Sequence, residues 1–252
     1  MIEILILSLV QGITEFLPIS SSSHLILISK YLDFNSQNLS IDVSLHIGSF
    51  IAVISYFYKD IINFYENKIL FLKILISSIP IVLIGFFLVE SSVIEKIRGL
   101  EIIAWTTIIF GFLLYISDKF KLEKNIRNNF NLKSAVIIGF LQILSLLPGV
   151  SRSGIAITAA RFLKFKRTDA AKISFLLSIP ILGAVSIYGF TNILFSKDTT
   201  FTMMNLVAIF LSFLFSIITI KYFLKYISKF SLGIFVYYRI FLGLVLLILA
   251  YL

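Results

Sequence analysis

The sequence predicts an all-α integral membrane protein, with about six transmembrane helices and two re-entrant helical hairpins in an inverted-topology repeat. Composition carries the first part of this prediction, because 59% of the 252 residues are hydrophobic and only 14% are charged. Soluble domains are typically about 45–50% apolar and about 25% charged. The apolar runs are also continuous rather than alternating, which favours helices as the spanning form. Two polar breaks inside apolar runs predict the hairpins.

Six apolar segments approach the length of about 20 residues that a helix needs to cross the hydrocarbon core. These segments are 43–58, 74–90, 102–117, 173–193, 204–220 and 232–252. We therefore interpret residues 1–252 as a single polytopic membrane domain.

Lys and Arg are unevenly distributed among the segments that connect these runs. Four connecting segments are basic, namely 59–73, 118–133, 161–172 and 221–231. The segments 91–101 and 194–203 nearly balance their charges. The positive-inside rule places the four basic segments in the cytoplasm and the other two outside. The net charge of +9 is thereby explained by loops beside anionic lipid, so we expect membrane lipid and no nucleic acid as a partner.

The sides of the membrane alternate correctly only if residues 134–162 enter and leave on the cytoplasmic side. This stretch breaks midway at Pro148-Gly149, which predicts two half-length helices joined by a re-entrant turn. Residues 1–30 break in the same way at Pro18, and we expect this second hairpin to enter from the outer side.

The two predicted hairpins resemble each other in sequence. "LVQGITEFLPISSSSHLI" and "FLQILSLLPGVSRSGIAI" share a Gln on the first half-helix, then Leu-Pro, then a serine-rich turn. A repeat with opposite membrane orientation is typical of transporter folds whose discontinuous helices meet at a central site. We therefore predict repeat halves at roughly 1–117 and 134–252.

The second break has the chemistry of an anion site. Ser151, Arg152 and Ser153 would open a half-helix, where unpaired N–H groups and the positive dipole end suit an anion. Arg152 adds a planar fork that matches phosphate oxygens, and Thr158 lies on the same helical face as Ser151. The alternative is that Ser151 is only an N-cap and Arg152 extends to water.

At the first break, Gln11 and Glu15 are four residues apart and share a helical face. A carboxylate beside an amide oxygen can hold a hard cation such as Mg²⁺ or Ca²⁺. Glu15 can instead act as a general base toward a hydroxyl. The structural alternative is that both residues only hydrogen-bond neighbouring helices.

Four serines, Ser20 to Ser23, and then His24 follow Pro18. A serine hydroxyl beside a carboxylate and an imidazole supplies a nucleophile and its base, although the same serines can form a capping turn. The other histidine, His46, stands where a span begins, and we interpret it as a packing group.

At these motifs the sequence resembles the undecaprenyl-diphosphate phosphatase family, also called the bacitracin-resistance protein family. The resemblance covers essentially the whole chain. Its strongest marks are "QGITEFLPISSSSH", "DVSLHIGSFIAV", "LLPGVSRSGIAIT" and "AAKISFLLSIPILGA". It implies an enzyme of the bacterial cytoplasmic (inner) membrane that dephosphorylates undecaprenyl diphosphate to the monophosphate and so recycles the lipid carrier for wall synthesis.

The resemblance also implies roles for individual residues. The family's Glu/Gln and Glu fall on Gln11 and Glu15, its essential serine and histidine on Ser21 and His24, and its phosphate-binding arginine on Arg152. It further implies a divalent cation, Mg²⁺ or Ca²⁺, and a site that opens toward the outer face. Ser23 stands where the family commonly has Gly, so a positive φ there would strain this chain.

The sequence therefore predicts a phosphatase in which Ser21 is the nucleophile, Glu15 takes its proton or holds the metal, and His24 assists proton transfer. A phospho-His24 intermediate and direct attack by water remain alternatives. The residues expected to bind substrate are Ser20, Ser22, Ser151, Arg152, Ser153 and Thr158. An inverted-repeat transporter or lipid flippase is the competing function, and a homodimer is one compatible assembly.

Overall fold

The computed structural model describes residues 1–32, 39–66, 68–90, 99–195 and 202–252, and this part of the chain is helical apart from turns and one isolated bridge. The helices are α1 (Ile2–Thr14), α2 (Ser21–Leu32), α3 (Leu39–Tyr56), α4 (Tyr58–Glu66), α5 (Lys68–Glu90), α6 (Leu100–Asp118), α7 (Ile126–Asn129), α8 (Leu132–Gln142), α9 (Arg152–Phe162), α10 (Arg167–Phe195), α11 (Met203–Ile227) and α12 (Gly233–Tyr251). A short 3-10 helix, Ile143–Leu146, continues α8.

Six of these helices are long and apolar enough to cross a membrane, which confirms the predicted number of spans. They are α3, α5, α6, α10, α11 and α12. Most extend a few residues beyond the predicted apolar segments; α5, for example, begins at Lys68 rather than at residue 74. A charged residue such as Lys68 can belong to a membrane-crossing helix, because its long side chain can reach the water at the end of the helix. Most of the predicted outer loops 91–101 and 194–203 lies outside the described residues, since residues 91–98 and 196–201 are not described.

Asp118, the last residue of α6, brings the basic ends of several helices together. Its carboxylate accepts from Arg167 Nε at 2.7 Å and Nη2 at 3.1 Å at the start of α10. It also accepts from the backbone N–H of Leu232, just before α12, at 3.0 Å. The end of α6 and the beginnings of α10 and α12 therefore lie at one end of the molecule, which we call the basic end.

The α8–α9 hairpin begins and returns at this basic end. Arg161 near the end of α9 pairs with Asp118 at 3.4 Å. The turn between the half-helices lies beside the middle of α6, because Thr106 Oγ1 donates to the Pro148 carbonyl at 2.6 Å. Gly149 has φ +91°, and a Cβ there would meet the Ile103 carbonyl at 2.7 Å. From Asp118 to the middle of α6 is roughly 17 Å at the helical rise of about 1.5 Å per residue.

The α1–α2 hairpin begins at the opposite end of the molecule. Ile4 and Leu7 of α1 pack with Leu25 of α2 and with Ala208 near the start of α11. At the other end of α1, a Cβ on Gly12 would lie 2.9 Å from a backbone nitrogen in the middle of α11. Such a close approach is the usual reason for glycine at a helix contact. The two helix pairs thus begin at opposite ends of the molecule; their re-entrant path through a membrane stays a prediction.

The helix pairs are consistent with two related halves. α1 packs on α11 and α8 packs on α5, while α3 packs on α10 and α6 packs on α12. Exchanging residues 1–117 with residues 134–252 converts the first pair into the second and leaves the other two pairs unchanged. The membrane orientation that an inverted repeat requires stays a prediction.

Candidate active site

Both hairpin turns carry a strained serine immediately before their second half-helix. Ser20 has φ 73° and precedes α2, and Ser151 has φ 70° and precedes α9. Non-glycine residues rarely adopt such angles, and they do so mainly where function over-determines the backbone. Ser151 Oγ also caps α9 by accepting from the Gly154 N–H at 3.1 Å. Ser23 does not have the positive φ that would strain it, because it lies inside α2. Its Oγ is 2.9 Å from Ser20 Oγ.

Glu15 joins the two hairpins. It follows α1 directly, and its side chain is buried. Ser21 Oγ donates to Glu15 Oε2 at 2.7 Å, and Gln11 Nε2 donates to the same oxygen at 3.1 Å. Glu15 Oε1 forms an ion pair with Arg152 Nη2 from the other hairpin. The carboxylate therefore contacts a candidate nucleophile, a candidate metal ligand and the predicted phosphate-binding arginine.

The surroundings of Glu15 keep it ionised. Burial alone would raise the pKa of Glu15, but the charge of Arg152 and the hydrogen bonds from Ser21 and Arg152 together hold that pKa below its usual value. Only one terminal nitrogen of Arg152 pairs with Glu15. The other, Nη1, is buried and has no hydrogen-bond partner among the described residues. A buried unpaired guanidinium nitrogen is costly, so this atom marks a place for an anionic oxygen.

A cavity of about 360 Å³ opens beside this pair. Its polar end is lined by Thr14, Glu15, Ser20, Ser21, Ser22, His46, Ser145, Ser151 and Arg152. Its walls are mostly apolar and come from residues 81–86 of α5 and 181–188 of α10. Both wall segments lie far from the basic end of their helices. The shape suits an amphiphile with an anionic head and a hydrocarbon tail.

His24 does not line this cavity. Its Nδ1 is 2.7 Å from the Ser20 carbonyl, so that nitrogen carries the proton, and its Nε2 accepts from the Tyr238 hydroxyl at 2.5 Å. The two rings also stack, with centroids 5.7 Å apart. Burial lowers the pKa of His24, partly opposed by the Ser20 hydrogen bond. A neutral His24 with both nitrogens engaged is held against α12 rather than against Glu15.

His46, which sequence analysis interpreted as a packing group, lines the cavity instead. Its Nδ1 donates to the Asp42 carbonyl at 2.8 Å, which leaves Nε2 as an acceptor. The sequence does contain a sign of this role, because "SLHIGS" is a cluster of polar residues at the start of a predicted span. Tyr238 was also not assigned, since its contact with His24 joins residues 214 positions apart.

The remaining predicted substrate-binding residues divide into two groups. Ser20, Ser22 and Ser151 line the cavity together with Arg152. Ser153 does not line it; its Oγ donates to the Leu17 carbonyl at 2.8 Å and so ties the second hairpin to the first. Thr158 is buried within α9 and does not line the cavity either.

The donor set for a cation is small. Among the described residues, Glu15 is the only carboxylate that lines the cavity, and no cluster of three or more of their His, Cys, Asp or Glu side chains is suited to a metal. Gln11 Oε1, however, is buried without a hydrogen-bond partner there. Turning that amide over would present its oxygen beside Glu15. These residues fit a hard cation that takes its other ligands from phosphate oxygens or water, as Mg²⁺ commonly does.

Comparison with known proteins shows the family to which the chain belongs. A family model described as "Bacitracin resistance protein BacA" matches residues 4–245. A protein named undecaprenyl-diphosphatase from Pelagibacter ubique (strain HTCC1062) is 48% identical over 251 residues, which is 99% of this chain and 98% of that protein. Proteins of the same name from Saccharophagus degradans (strain 2-40 / ATCC 43961 / DSM 17024) and Jannaschia sp. (strain CCS1) are 41% and 37% identical, over 94% and 98% of this chain and 93% and 97% of their own lengths. The match runs from the first hairpin to the last span, and the chain therefore belongs to the bacitracin resistance protein BacA family.

Proposed function

We propose that this protein hydrolyses undecaprenyl diphosphate to undecaprenyl phosphate and inorganic phosphate in the cavity between the two hairpin turns. The observation that carries this proposal is the Ser21–Glu15–Arg152 arrangement at the polar end of an apolar-walled cavity. The relatives named undecaprenyl-diphosphatase support the same substrate. The expected cellular consequences are recycling of the lipid carrier for cell-wall synthesis and resistance to bacitracin.

The cavity would divide the substrate by polarity. A diphosphate cannot enter hydrocarbon, so the head group would lie among the serines, with Arg152 Nη1 free to bind a phosphate oxygen. The prenyl tail would lie between α5 and α10, against Val82, Leu182 and Val185. Burial of the tail would fix the position of the terminal phosphorus relative to Ser21.

The first chemical step would be attack by Ser21. Its hydroxyl proton passes to Glu15 along their 2.7 Å hydrogen bond, while Oγ bonds to the terminal phosphorus and the bridging P–O bond breaks. Undecaprenyl phosphate leaves with the electrons of that bond. In the second step water attacks the phosphoseryl group, and inorganic phosphate leaves as Ser21 regains a proton. Direct attack by water, with Glu15 as its base, uses the same contacts in one step.

Arg152 would contribute most during this proton transfer. Before reaction its charge is balanced by Glu15. Once Glu15 takes the proton of Ser21, the carboxyl is neutral, and the Arg152 charge acts on the phosphoryl oxygens. The electrostatic stabilisation would therefore grow as negative charge develops, which is the condition for catalysis.

A divalent cation, Mg²⁺ or Ca²⁺, would be held by Glu15 and the amide oxygen of Gln11 together with substrate phosphate oxygens. When bound, it would neutralise charge on the diphosphate. Gln11 would supply this ligand if its amide turned over, so that the unpartnered Oε1 faced Glu15 in place of Nε2. Metal binding and proton acceptance are alternative uses of the same carboxylate.

We further propose that both hairpins are re-entrant, that the halves 1–117 and 134–252 form an inverted repeat, and that the protein lies in the bacterial cytoplasmic membrane. The cavity would then open toward the outer face. Its walls, at 81–86 and 181–188, lie far from the basic end of α5 and α10, and basic ends face the cytoplasm under the positive-inside rule. A homodimer stays a prediction.

The test is phosphate release from undecaprenyl diphosphate by purified protein in detergent, with Mg²⁺ or Ca²⁺ and then with chelator. Metal-dependent release that disappears in Glu15→Ala and Arg152→Ala variants of native stability is the expected result. Arg127→Ala is the matched control, because this arginine is exposed near the basic end. Folded wild-type protein that releases no phosphate under any of these conditions would rule the proposal out.

A transporter or lipid flippase is the second candidate, because the turns of the two hairpins contact each other and transporters with inverted repeats have broken helices that meet in this way. Such a protein would move a prenyl phosphate across a vesicle membrane without releasing phosphate. Reconstituted vesicles assayed for both activities separate the two functions.

A further inference from the structure

Arg239 hydrogen-bonds to both hairpin turns from outside the cavity. It lies within α12, is fully buried, and does not line the cavity. Its Nη1 donates to the Pro18 carbonyl at 3.3 Å, and its Nη2 donates to the Gly149 carbonyl at 2.8 Å. Its Nε donates to the Thr107 carbonyl of α6 at 3.2 Å. One guanidinium therefore holds a carbonyl in each hairpin turn and a third in a neighbouring span.

The two turn carbonyls occupy the same place relative to the strained serines. Pro18 stands two residues before Ser20, and Gly149 stands two residues before Ser151. The next residues are Ser21 and Arg152, the candidate nucleophile and the phosphate-binding arginine. The guanidinium fork thus fixes corresponding points of the backbone just before each half of the site.

The surrounding helices make room for this side chain. A Cβ on Gly154 would lie 3.0 Å from Arg239 Nη1, and a Cβ on Gly111 would lie 3.1 Å from Arg239 Cβ. Both contacts would be tighter than ordinary packing. The absence of a side chain at these two glycines therefore leaves the space through which Arg239 reaches from α12 to the turns.

The charge of Arg239 is also unusual. No carboxylate pairs with it in the described ranges, where its hydrogen bonds go to three backbone carbonyls. The equally buried Arg161 differs, because it pairs with Asp118. A buried cation without a counterion is costly and is retained mainly where function uses it. Since the carbonyls leave its net charge uncompensated, Arg239 adds positive potential on the back of the phosphate site.

We propose that Arg239 is a positioning residue for the reaction: its fork sets the separation between the Ser20–Ser21 and Ser151–Arg152 turns, and its charge favours binding of the diphosphate. This inference rests on the proposed phosphatase function. The shape of the guanidinium and its charge can be tested separately, because different substitutions of Arg239 remove them.

Arg239→Lys keeps the charge but cannot reach three carbonyls with one planar fork. We expect kcat to fall about tenfold or more while KM for undecaprenyl diphosphate changes little, because only the alignment of the turns is lost. Arg239→Gln loses the charge as well, so KM should also rise about tenfold. Arg161→Lys is the matched control at the basic end: it should lower the melting temperature and leave kcat per folded molecule within about threefold.

Binding of inorganic pyrophosphate, measured by calorimetry with the same divalent cation, provides a readout that does not depend on turnover. Affinity should be unchanged in Arg239→Lys and about tenfold weaker in Arg239→Gln. If wild-type protein and the two variants bound pyrophosphate with this pattern but wild-type protein released no phosphate from the lipid, the phosphatase function would fail while the contribution of the Arg239 charge to anion binding survived. Folded Arg239→Gln with wild-type kinetics and pyrophosphate affinity would overturn the inference.

Gly111→Ala tests the geometry without removing the arginine, in case the Arg239 variants do not fold. Alanine favours the α6 helix, so the variant should fold, but its Cβ would press on Arg239 Cβ. We expect kcat to fall several-fold with the melting temperature preserved. Unchanged kcat in this variant would contradict the positioning role.

Discussion

Ser21 donates a 2.7 Å hydrogen bond to Glu15 across the turn that breaks the first hairpin. The same carboxylate binds Arg152 from the second hairpin. One residue therefore links the hydroxyl that would be phosphorylated to the cation that would stabilise the reaction, and the sequence separates those two partners by more than half of the chain.

Ser21→Ala and Glu15→Gln should each lower kcat by roughly a thousandfold, because a nucleophile and its base act as one unit. For the same reason the double variant should be no worse than the poorer single variant. Phosphate release under saturating substrate measures this. Ser8→Ala is the control, since its buried Oγ has no partner among the described residues and lies on the same hairpin. A Ser21→Ala enzyme with a tenth or more of wild-type kcat would rule out Ser21 as the nucleophile.

Arg152→Lys should retain part of the activity and Arg152→Ala almost none. A lysine keeps the charge but cannot pair with Glu15 and also offer a second nitrogen to phosphate, as Nη2 and Nη1 of Arg152 can. We expect kcat/KM to fall about a hundredfold in the lysine variant and further in the alanine variant. Steady-state kinetics on folded variants provides the measurement. Near-normal turnover in Arg152→Ala would show that the anion site is elsewhere.

The bundle was predictable because each span is a continuous apolar run, and the break between α8 and α9 was predictable because Pro148-Gly149 interrupts such a run. Contacts between distant segments were less accessible. Helical spacing puts Thr158 on the face of Ser151, yet Thr158 is 3% exposed and does not line the cavity. His24 faces Tyr238, and His46 takes the place beside the cavity. Spacing predicts which residues share a face, but tertiary packing decides what that face contacts. Arg239 was detectable, because an arginine in an apolar span is a functional signal by itself.

Tyr238→Phe tests whether His24 carries a phosphoryl group. The Tyr238 hydroxyl occupies His24 Nε2, so a phospho-His24 intermediate would require this hydrogen bond to break. We expect kcat to fall only several-fold in the phenylalanine variant, since the ring loses orientation but stays stacked. The phosphoenzyme trapped by rapid quench should be acid-stable, as phosphoserine is, in both proteins. An acid-labile label would instead assign the intermediate to a histidine.

His46→Asn tests the histidine that the structure adds to the cavity. Asparagine can still donate to the Asp42 carbonyl but lacks the free acceptor at Nε2. If His46 acts on the bound head group or its water, kcat/KM should fall about tenfold with little change in melting temperature. A variant that loses stability but keeps kcat/KM would return His46 to a packing role.

Gln11→Glu tests the cation site with the smallest change in shape. The variant places a second carboxylate four residues from Glu15 in a buried position, where two like charges repel unless a cation lies between them. The half-saturating concentration of Mg²⁺ or Ca²⁺ for phosphate release should therefore fall about tenfold, and Gln11→Ala should raise it. A second measurement is independent of turnover: adding the divalent cation should raise the melting temperature of Gln11→Glu more than that of wild-type protein, because the ion relieves repulsion only in the variant. Equal cation requirements and equal thermal shifts in the three proteins would remove Gln11 from the metal site and leave Glu15 to act as the base.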